Sequence, residues 1–345
     1  MEAIYMKYTM GLDVHKEMCV YALVNEQGKV QRQGEIKTNP KLLLELISPI
    51  PPSAIQVGME SSTYIYPLYD ALNDAGYTIK VAHPAKLHRI TQAAVKNDEK
   101  DALDLALQLL RNDFPESYML SKEMRDYREL IRQHMVLTQQ QTKVKNRIHS
   151  HLARYGYKIS SALGTKKSIQ FLDSLELPTN AKITLGVMIS QLKNSKELLT
   201  TIDKCIKRFV ESNEDAQKLM KLDGIGSFAA AAFCLELGDW RRFKSVKQLT
   251  AYVGMIPKMS GSANKMYYGR MRPDGNHHIR YAFTRAAEQA IRKQNQCKLY
   301  FDKLISKGKR RRTAISAVAN KLIRISYGIL HAEEPNYSGS LMEKG

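Results

Sequence analysis

The chain has 345 residues, of which 53 are Lys or Arg and 34 are Asp or Glu, giving a formal net charge of +19. No apolar stretch approaches the length of a membrane span, and the first residues lack a basic leader followed by an apolar block, so we expect neither a membrane protein nor a secretory signal. The cysteines (Cys19, Cys205, Cys234, Cys297) are scattered without zinc-ligand spacing, and we expect buried thiols in a reducing cytoplasm rather than disulfides.

The N-terminal third predicts an α/β domain. Residues 7–37 are rich in β-formers and contain a turn-like segment at residues 26–28, which indicates three short strands. Apolar runs and helical spacing then predict a helix over 40–47, a strand over 54–60, a helix over 64–75, a strand over 78–82 and a helix over 97–110. Three antiparallel strands followed by strand, helix, strand and helix is the element order of the RNase H-like (RuvC-like) fold, which has helices on both faces of one sheet.

The middle of the chain predicts long helices. Apolar residues recur at steps of three and four over residues 120–215, and Gly156 and Pro178 interrupt the pattern. We expect two long helices forming an antiparallel coiled-coil arm, whose apolar stripe would mediate dimerisation. A helical subdomain packed on its own core explains the same pattern equally well.

The last third predicts a mainly α domain. A Gly224-Ile225-Gly226 turn precedes an Ala- and Leu-rich helix over 228–237, and a short helix follows over 245–253. A glycine- and serine-rich loop is expected up to Asn276, then a helical block over 277–329 interrupted at Gly308. Since 345 residues favour two or three domains, we predict boundaries at 1–115, 116–215 and 216–332, with a disordered tail over 333–345.

Acidic residues follow two of the predicted strands and open a helix. Asp13 and Glu60 each end an apolar strand, where an unpaired charge is unfavourable unless it binds something. Asp98 and Asp101 are three residues apart on one helix face, and Asp104 extends the row as a reserve candidate. Carboxylates meeting at one sheet edge predict a site for Mg²⁺ or Mn²⁺, whereas a helix-dipole role for Asp98 and a capping role for Glu60 are the simpler readings of each residue alone.

The positive charge lies outside this acidic third. Residues 1–110 carry 11 basic and 13 acidic side chains, whereas residues 241–330 carry 21 and 3. A surplus of this size predicts nucleic-acid binding rather than solubility alone. One basic run predicts a clamp on a DNA or RNA backbone, with a solvated helix as the alternative: Lys307, Lys309, Arg310, Arg311 and Arg312.

The motifs GLDVHK, VGMESS, VAHPAKLHRI and KNDEKDALDLA resemble the N-terminal domain of the DEDD-type insertion-sequence transposases, a family that includes Piv-type invertases and bridge-RNA-guided serine recombinases. The resemblance places the metal-binding tetrad on Asp13, Glu60, Asp98 and Asp101. Asn97 stands where the family usually has Thr or Ser.

The C-terminal third is similar to the transposase domain of the same family. The matching positions are Gly224, Gly226, Gly254, Pro257, Gly275, Asn276 and Arg280. The resemblance identifies Ser262 as the nucleophile, followed by Lys265; Ala263 replaces the usual glycine, and Ser260 remains the alternative serine.

The resemblance implies a recombinase in which Ser262 attacks the DNA backbone and forms a covalent phosphoserine link, assisted by metal ions at the tetrad. Arg270 and Arg280 would stabilise the transition state or contact phosphates, as would backbone amides of the Gly224–Gly226 turn. The family also implies a structured guide RNA and a homodimer or homotetramer. A metal-dependent RNase H-like nuclease that uses water, such as a junction resolvase, and a non-catalytic nucleic-acid scaffold are the alternatives.

Overall fold

The computed structural model describes residues 7–84, 87, 97–159, 163–262, 265–271 and 275–332, and for residues 257–262, 265–268 and 270 it describes the backbone alone. The chain divides into two compact units, Met1–Lys122 and Glu123–Gly345. The predicted tail over 333–345 lies outside the described residues.

The first unit is built on a mixed sheet. Its described strands lie in the order β3-β2-β1-β4-β5-β6, where β1 is antiparallel to β2 and parallel to β4. The strands are β1 (Tyr8–Val14), β2 (Met18–Asn25), β3 (Val30–Lys37), β4 (Ile55–Glu60), β5 (Thr78–Ala82) and β6 (Glu116–Ser117). The central strands β1 and β4 are buried along most of their length, whereas the polar sequence of β3 lies exposed at the sheet edge.

Helices cover the two faces of this sheet. Helices α1 (Pro40–Ile47) and α2 (Ile65–Asp74) supply Leu43, Ile47, Leu68 and Leu72 to the larger core, and α3 (Asp98–Leu110) packs against β1 and β2. Helix α3 packs so closely on β1 that a β-carbon at Gly11 would overlap the Ala102 carbonyl oxygen, and only glycine fits there. The buried hydroxyl of Thr9 donates a hydrogen bond to the Ala106 carbonyl at 2.9 Å and fixes the same contact.

The second unit is mostly helical. Its helices are α4 (Lys122–Ala153), α5 (Lys166–Asp173), α6 (Thr179–Ser212), α7 (Glu214–Met220), α8 (Ser227–Leu237), α9 (Val246–Val253), α10 (His277–Ala290), α11 (Gln296–Ser306) and α12 (Arg311–His331). The C-terminal half of α4 and the N-terminal half of α6 share a core with α5, and this core includes Ile148, Leu172 and Leu192. The other halves of the two helices join a larger core built around α8, in which Ala229–Leu237 are all buried.

The described elements confirm most of the predicted order, but the sequence analysis predicts neither β6 nor α7, and three further segments differ. The expected loop before Asn276 contains an antiparallel hairpin, β7 (Pro257–Ser262) and β8 (Lys265–Met271). A short helix, α5, lies between the two long helices, and the last helical block breaks near Asn295 as well as at Gly308, because Asn295 caps the start of α11. Cys19, Cys234 and Cys297 are buried as expected, whereas Cys205 is half-buried. Among the described residues, no helix is both long and apolar enough to cross a lipid bilayer.

Candidate active site

The pairing of β1 with β4 sets Asp13 and Glu60 at one edge of the sheet. The two strands are parallel and Leu12 pairs with Met59, so Asp13 and Glu60 follow on neighbouring strands at the same level. The Asp13 side chain is 16% exposed, and Glu60 is half-buried. The sequence therefore folds two carboxylates to the carboxyl end of two adjacent parallel strands.

The first turn of α3 brings two further carboxylates to this edge. The Asn97 side chain accepts a hydrogen bond from the Glu99 amide at 3.0 Å and caps the helix, as the family's Ser or Thr would. Asp98 and Asp101 lie in this first turn, and the close contact of Gly11 with Ala102 and Ala106 holds the following turn against β1.

A histidine that the sequence analysis left without a role lies between two of the predicted ligands. His15 Nε2 is 3.2 Å from Asp13 Oδ2 and 3.3 Å from Asp98 Oδ2. Asp13, His15 and Asp98 can each offer one ligand atom, and these atoms lie within 4.8 Å of one another. The signal that identifies His15 is its position two residues after Asp13 in GLDVHK, which in extended backbone places both side chains on one side.

The electrostatics of Asp13 fit a bound cation. Burial raises the pKa of Asp13, the nearby His15 opposes that rise, and the negative charges of Asp98 and Asp101 add to it. The carboxylate is thus disfavoured by its surroundings, and a divalent ion would reverse this by supplying positive charge. Carboxylate oxygens with one imidazole suit Mn²⁺, and the carboxylates alone suit Mg²⁺.

A buried polar network lies in the second unit. The Glu236 side chain is 2% exposed and accepts two hydrogen bonds from Arg132, Nε to Oε1 at 2.9 Å and Nη2 to Oε2 at 3.2 Å. Asn276 Nδ2 donates a third, to Oε2 at 2.9 Å. Burial alone would raise the pKa of Glu236, but the hydrogen bonds and charge of Arg132 and the hydrogen bond from Asn276 outweigh it and lower the pKa.

This network supports the base of the β7–β8 hairpin. The Asn276 side-chain oxygen caps α10 by accepting hydrogen bonds from the backbone amides of His278 and Ile279. The Asn276 backbone N–H donates a hydrogen bond to the Tyr252 carbonyl at 2.9 Å. Gly254 has a φ of 75°, and a β-carbon at Gly275 would overlap its backbone. The fold therefore brings the family-matched positions Gly254, Gly275 and Asn276 into contact where the hairpin leaves and rejoins the helices.

The hairpin carries the predicted serine near its tip. Ser262 ends β7 and pairs with Lys265, the first residue of β8, whereas Pro257 pairs with Met271 at the base. The side chains of Ser260, Ser262, Lys265 and Arg270 lie outside the described part of the structure. Arg280 is described, and its Nη1 donates to the Gly254 carbonyl at 3.5 Å.

The other predicted nucleic-acid contacts have mixed surroundings. Gly224 has a φ of 83°, and a β-carbon there would overlap the Ala286 carbonyl of α10, so packing alone requires a glycine. Gly226 is the N-cap of α8, and space beside it is open. The basic run Lys307, Lys309, Arg310, Arg311 and Arg312 is exposed where the chain enters α12.

Comparisons with known proteins agree in both halves of the chain. A transposase family model of the DEDD, IS110 type matches residues 10–157, and the model of the transposase IS116/IS110/IS902 family matches residues 216–302. The chain is 23% identical, over 96% of its length and 92% of the relative's, to a transposase for insertion sequence element IS1111A of Coxiella burnetii.

Two further relatives point the same way. A probable family 20 transposase of Pseudomonas aeruginosa is 21% identical over 94% of this chain and 97% of its own length. A pilin gene-inverting protein of Moraxella bovis is 26% identical over 36% of this chain and 39% of its own length. The two family models lie in order along one chain and include the acidic edge, the Gly224–Gly226 turn and the hairpin. The chain therefore belongs to the IS110 family of insertion-sequence transposases.

Proposed function

We propose that this transposase cuts and rejoins DNA with Ser262 as the nucleophile, assisted by divalent metal ions held at Asp13, Glu60, Asp98 and Asp101. The binding of metal ions is supported by the convergence of Asp13, His15 and Asp98 at one end of the sheet. We also assign the first unit to the RNase H-like fold, which the strand order β3-β2-β1-β4-β5 and the helices on both faces support.

In the proposed reaction, the Ser262 hydroxyl loses its proton and its oxygen bonds to a DNA phosphorus, while the bond from that phosphorus to a deoxyribose oxygen breaks and the departing oxygen takes up a proton. The product is a phosphoserine link. A free deoxyribose hydroxyl of a second strand later loses its proton and attacks the same phosphorus, so that the bond to the new strand forms as the bond to Ser262 breaks and the serine hydroxyl is restored. Metal ions bound at the tetrad would stabilise the charge that develops on the phosphoryl oxygens and the leaving oxygen. Asp13 and Asp98 would hold such ions, and His15 Nε2 lies within 3.3 Å of an oxygen of each carboxylate.

Basic residues are assigned to the nucleic acid. Lys265, Arg270 and Arg280 would balance phosphate charge near Ser262, and the exposed run over 307–312 would hold the backbone further along. The amides of the Gly224–Gly226 turn are the remaining candidate contact. A structured guide RNA, which only the family resemblance implies, is part of the proposal and is tested by sequencing RNA that purifies with the protein.

We propose that the active form is a homodimer or homotetramer. Ile183 and Val187 lie one turn apart on α6 and are 61% and 55% exposed, an arrangement that suits a second copy of the same helix. Sedimentation of the wild type against Ile183→Lys/Val187→Lys tests this, and an unchanged mass would remove these residues from the interface.

The reaction is tested by incubating the protein with Mg²⁺, copurified RNA and labelled DNA that carries the insertion-sequence ends, then separating products on denaturing gels. The proposal expects a covalent protein–DNA adduct that Ser262→Ala and Asp13→Asn abolish and Ser260→Ala retains. Cleavage without an adduct that survives Ser262→Ala but not Asp13→Asn would instead support a metal-dependent nuclease. An adduct lost only in Ser260→Ala would move the nucleophile to that residue.

A further inference from the structure

A cavity of about 580 Å³ lies between the end of β8 and the helices α11 and α12. Gly269 and Met271 form the β8 side, and Tyr300 lies on α11. This volume is within the range of small-molecule binding sites and well above what a lone phosphate needs. Neither the tetrad nor the basic run over 307–312 accounts for it, although Arg312 contributes to its rim.

Three cations line this cavity without a carboxylate among its lining residues. They are Arg312 and Arg324, which are exposed, and Lys321, which is 8% exposed. Within the described part of the chain, none of the three forms an ion pair. Burial, and secondarily the charge of Arg324, lower the pKa of Lys321, so an anion in the cavity would relieve an unfavourable arrangement.

The rest of the wall is apolar or aromatic. Met255, Met271, Tyr300 and Ala317 line the cavity together with the cations. Asn320 Nδ2 donates a hydrogen bond to the Met255 carbonyl at 2.6 Å, which ties α12 to the segment that leads into β7. A wall that combines cations with an aromatic ring and methionines suits a ligand with both a phosphate and a flat base.

The position of the cavity along β8 gives its separation from the proposed nucleophile. Gly269 and Met271 are four and six residues along β8 from Lys265, which pairs with Ser262. At about 3.3 Å per residue this is roughly 13–20 Å from the hairpin tip. The same distance corresponds to about four to six nucleotides at B-DNA spacing.

We propose that this cavity holds one unstacked nucleotide of the DNA strand joined to Ser262, a few positions from the cut phosphate. Arg312, Lys321 and Arg324 bind its phosphate, and Tyr300 and Met271 contact its base. The choice of DNA as the ligand rests on the proposed function. An enzyme that exchanges strands must separate the base pairs beside the cut, and a site for an unpaired base stabilises that open state.

The test uses Ser262→Ala protein throughout, so that binding is measured apart from covalent chemistry. Fluorescence anisotropy compares a labelled single-stranded 12-mer, the same strand with abasic sites, its duplex and its RNA counterpart. Tyr300→Ala is expected to weaken single-stranded DNA about tenfold and to leave duplex and abasic DNA unchanged, because it removes a base contact alone. Tyr300→Phe should restore binding.

The cations are tested in the same assay. Arg324→Gln and Lys321→Met should weaken every DNA probe that enters the cavity and reduce the salt dependence by about one phosphate contact each. Lys207→Gln, an exposed cation on α6, is the matched control and should leave the binding of the single strand unchanged. Circular dichroism establishes that each variant is folded before it is scored.

Three results would overturn the proposal. Unchanged single-strand binding in folded Tyr300→Ala would exclude the base contact, and equal losses on duplex and abasic DNA would reduce the cavity to a phosphate clamp. A loss confined to the RNA 12-mer would assign the cavity to RNA. The adduct assay uses protein that retains Ser262 and is independent of the binding assay. If an adduct forms and Tyr300→Ala binds single-stranded DNA normally, the nucleotide site is refuted and the serine mechanism is left intact.

Discussion

Gly11 on β1 lies against Ala102 on α3 so closely that the added carbon of an alanine would overlap the Ala102 carbonyl oxygen. This contact sets the distance between the strand that carries Asp13 and the helix that carries Asp98. Gly58 on β4 faces the end of the Leu109 side chain instead, and a flexible side chain can move where the Ala102 backbone cannot. Gly11, two residues before Asp13, therefore limits how near α3 comes to the acidic edge.

Gly11→Ala should displace α3 and separate Asp98 from Asp13. We expect a loss of about 1–3 kcal/mol in the free energy of unfolding, which is typical of overpacking in a closed core. The rise in melting temperature on adding Mn²⁺ should shrink or vanish as well. Gly186→Ala, at an open position in α6, is the control and should be neutral or slightly stabilising. An unaltered Mn²⁺ response in Gly11→Ala would show that α3 does not need this contact.

Asp13→Asn should stabilise the metal-free protein at neutral pH. The folded pKa of Asp13 is raised, so the native state resists ionisation that the unfolded chain undergoes freely. The contribution of Asp13 to wild-type stability therefore falls as the pH rises from below the unfolded pKa through the folded one, and the Asn variant should lack this contribution. Thermal unfolding in EDTA from pH 3 to 7 measures the difference. A constant offset between the two proteins at every pH would contradict the assignment.

His15→Gln should weaken Mn²⁺ binding more than Mg²⁺ binding. An imidazole nitrogen is a good ligand for Mn²⁺ and a poor one for Mg²⁺, which prefers oxygen. Calorimetric titration of each ion into wild type, His15→Gln and Asp104→Asn gives the comparison, with Asp104→Asn expected to keep both affinities. Equal losses for the two ions in His15→Gln would indicate that His15 orients the carboxylates rather than binding metal.

Arg132→Met should destabilise the second unit strongly at neutral pH, since it leaves Glu236 buried without its cationic partner. Breaking a buried pair in this way costs about 3–5 kcal/mol. The lowered pKa of Glu236 means that its contribution is present above the unfolded pKa and is lost as the pH falls through the folded value. The gap between Arg132→Met and wild type should therefore narrow in acid, as followed by chemical unfolding at several pH values.

Glu236→Gln in the Arg132→Met background separates charge from packing. The double variant removes the buried negative charge while keeping an acceptor for Asn276, and it should recover part of the lost stability. If the double variant is no more stable than Arg132→Met, the loss arises from packing around α4 and not from an uncompensated charge.

The placement of the four carboxylates on their strands and helix can be predicted from the sequence, because each ends a buried strand or opens a helix and these are local signals. Their binding of metal stays a prediction. The Arg132–Glu236 pair cannot be predicted from the sequence, because the two residues are 104 positions apart and Arg132 resembles any surface cation on a long helix. Glu236 carried a usable signal, since a lone carboxylate inside the apolar run over 229–237 requires a partner. The sequence predicts a loop where the structure has the β7–β8 hairpin, because a Gly- and Ser-rich composition is typical of loops and gives no sign of which residues pair across two strands.

The contact between Gly254 and Gly275 makes the intervening segment a closed excursion from the helical body. The chain leaves α9 and returns to α10 at almost one point, so two backbones in contact fix the ends of both helices. Any side chain at Gly275 would press on Val253 and Gly254 and disturb both helix ends together. For protein engineering, Gly275 is therefore a position to leave unchanged, although it has no functional group of its own.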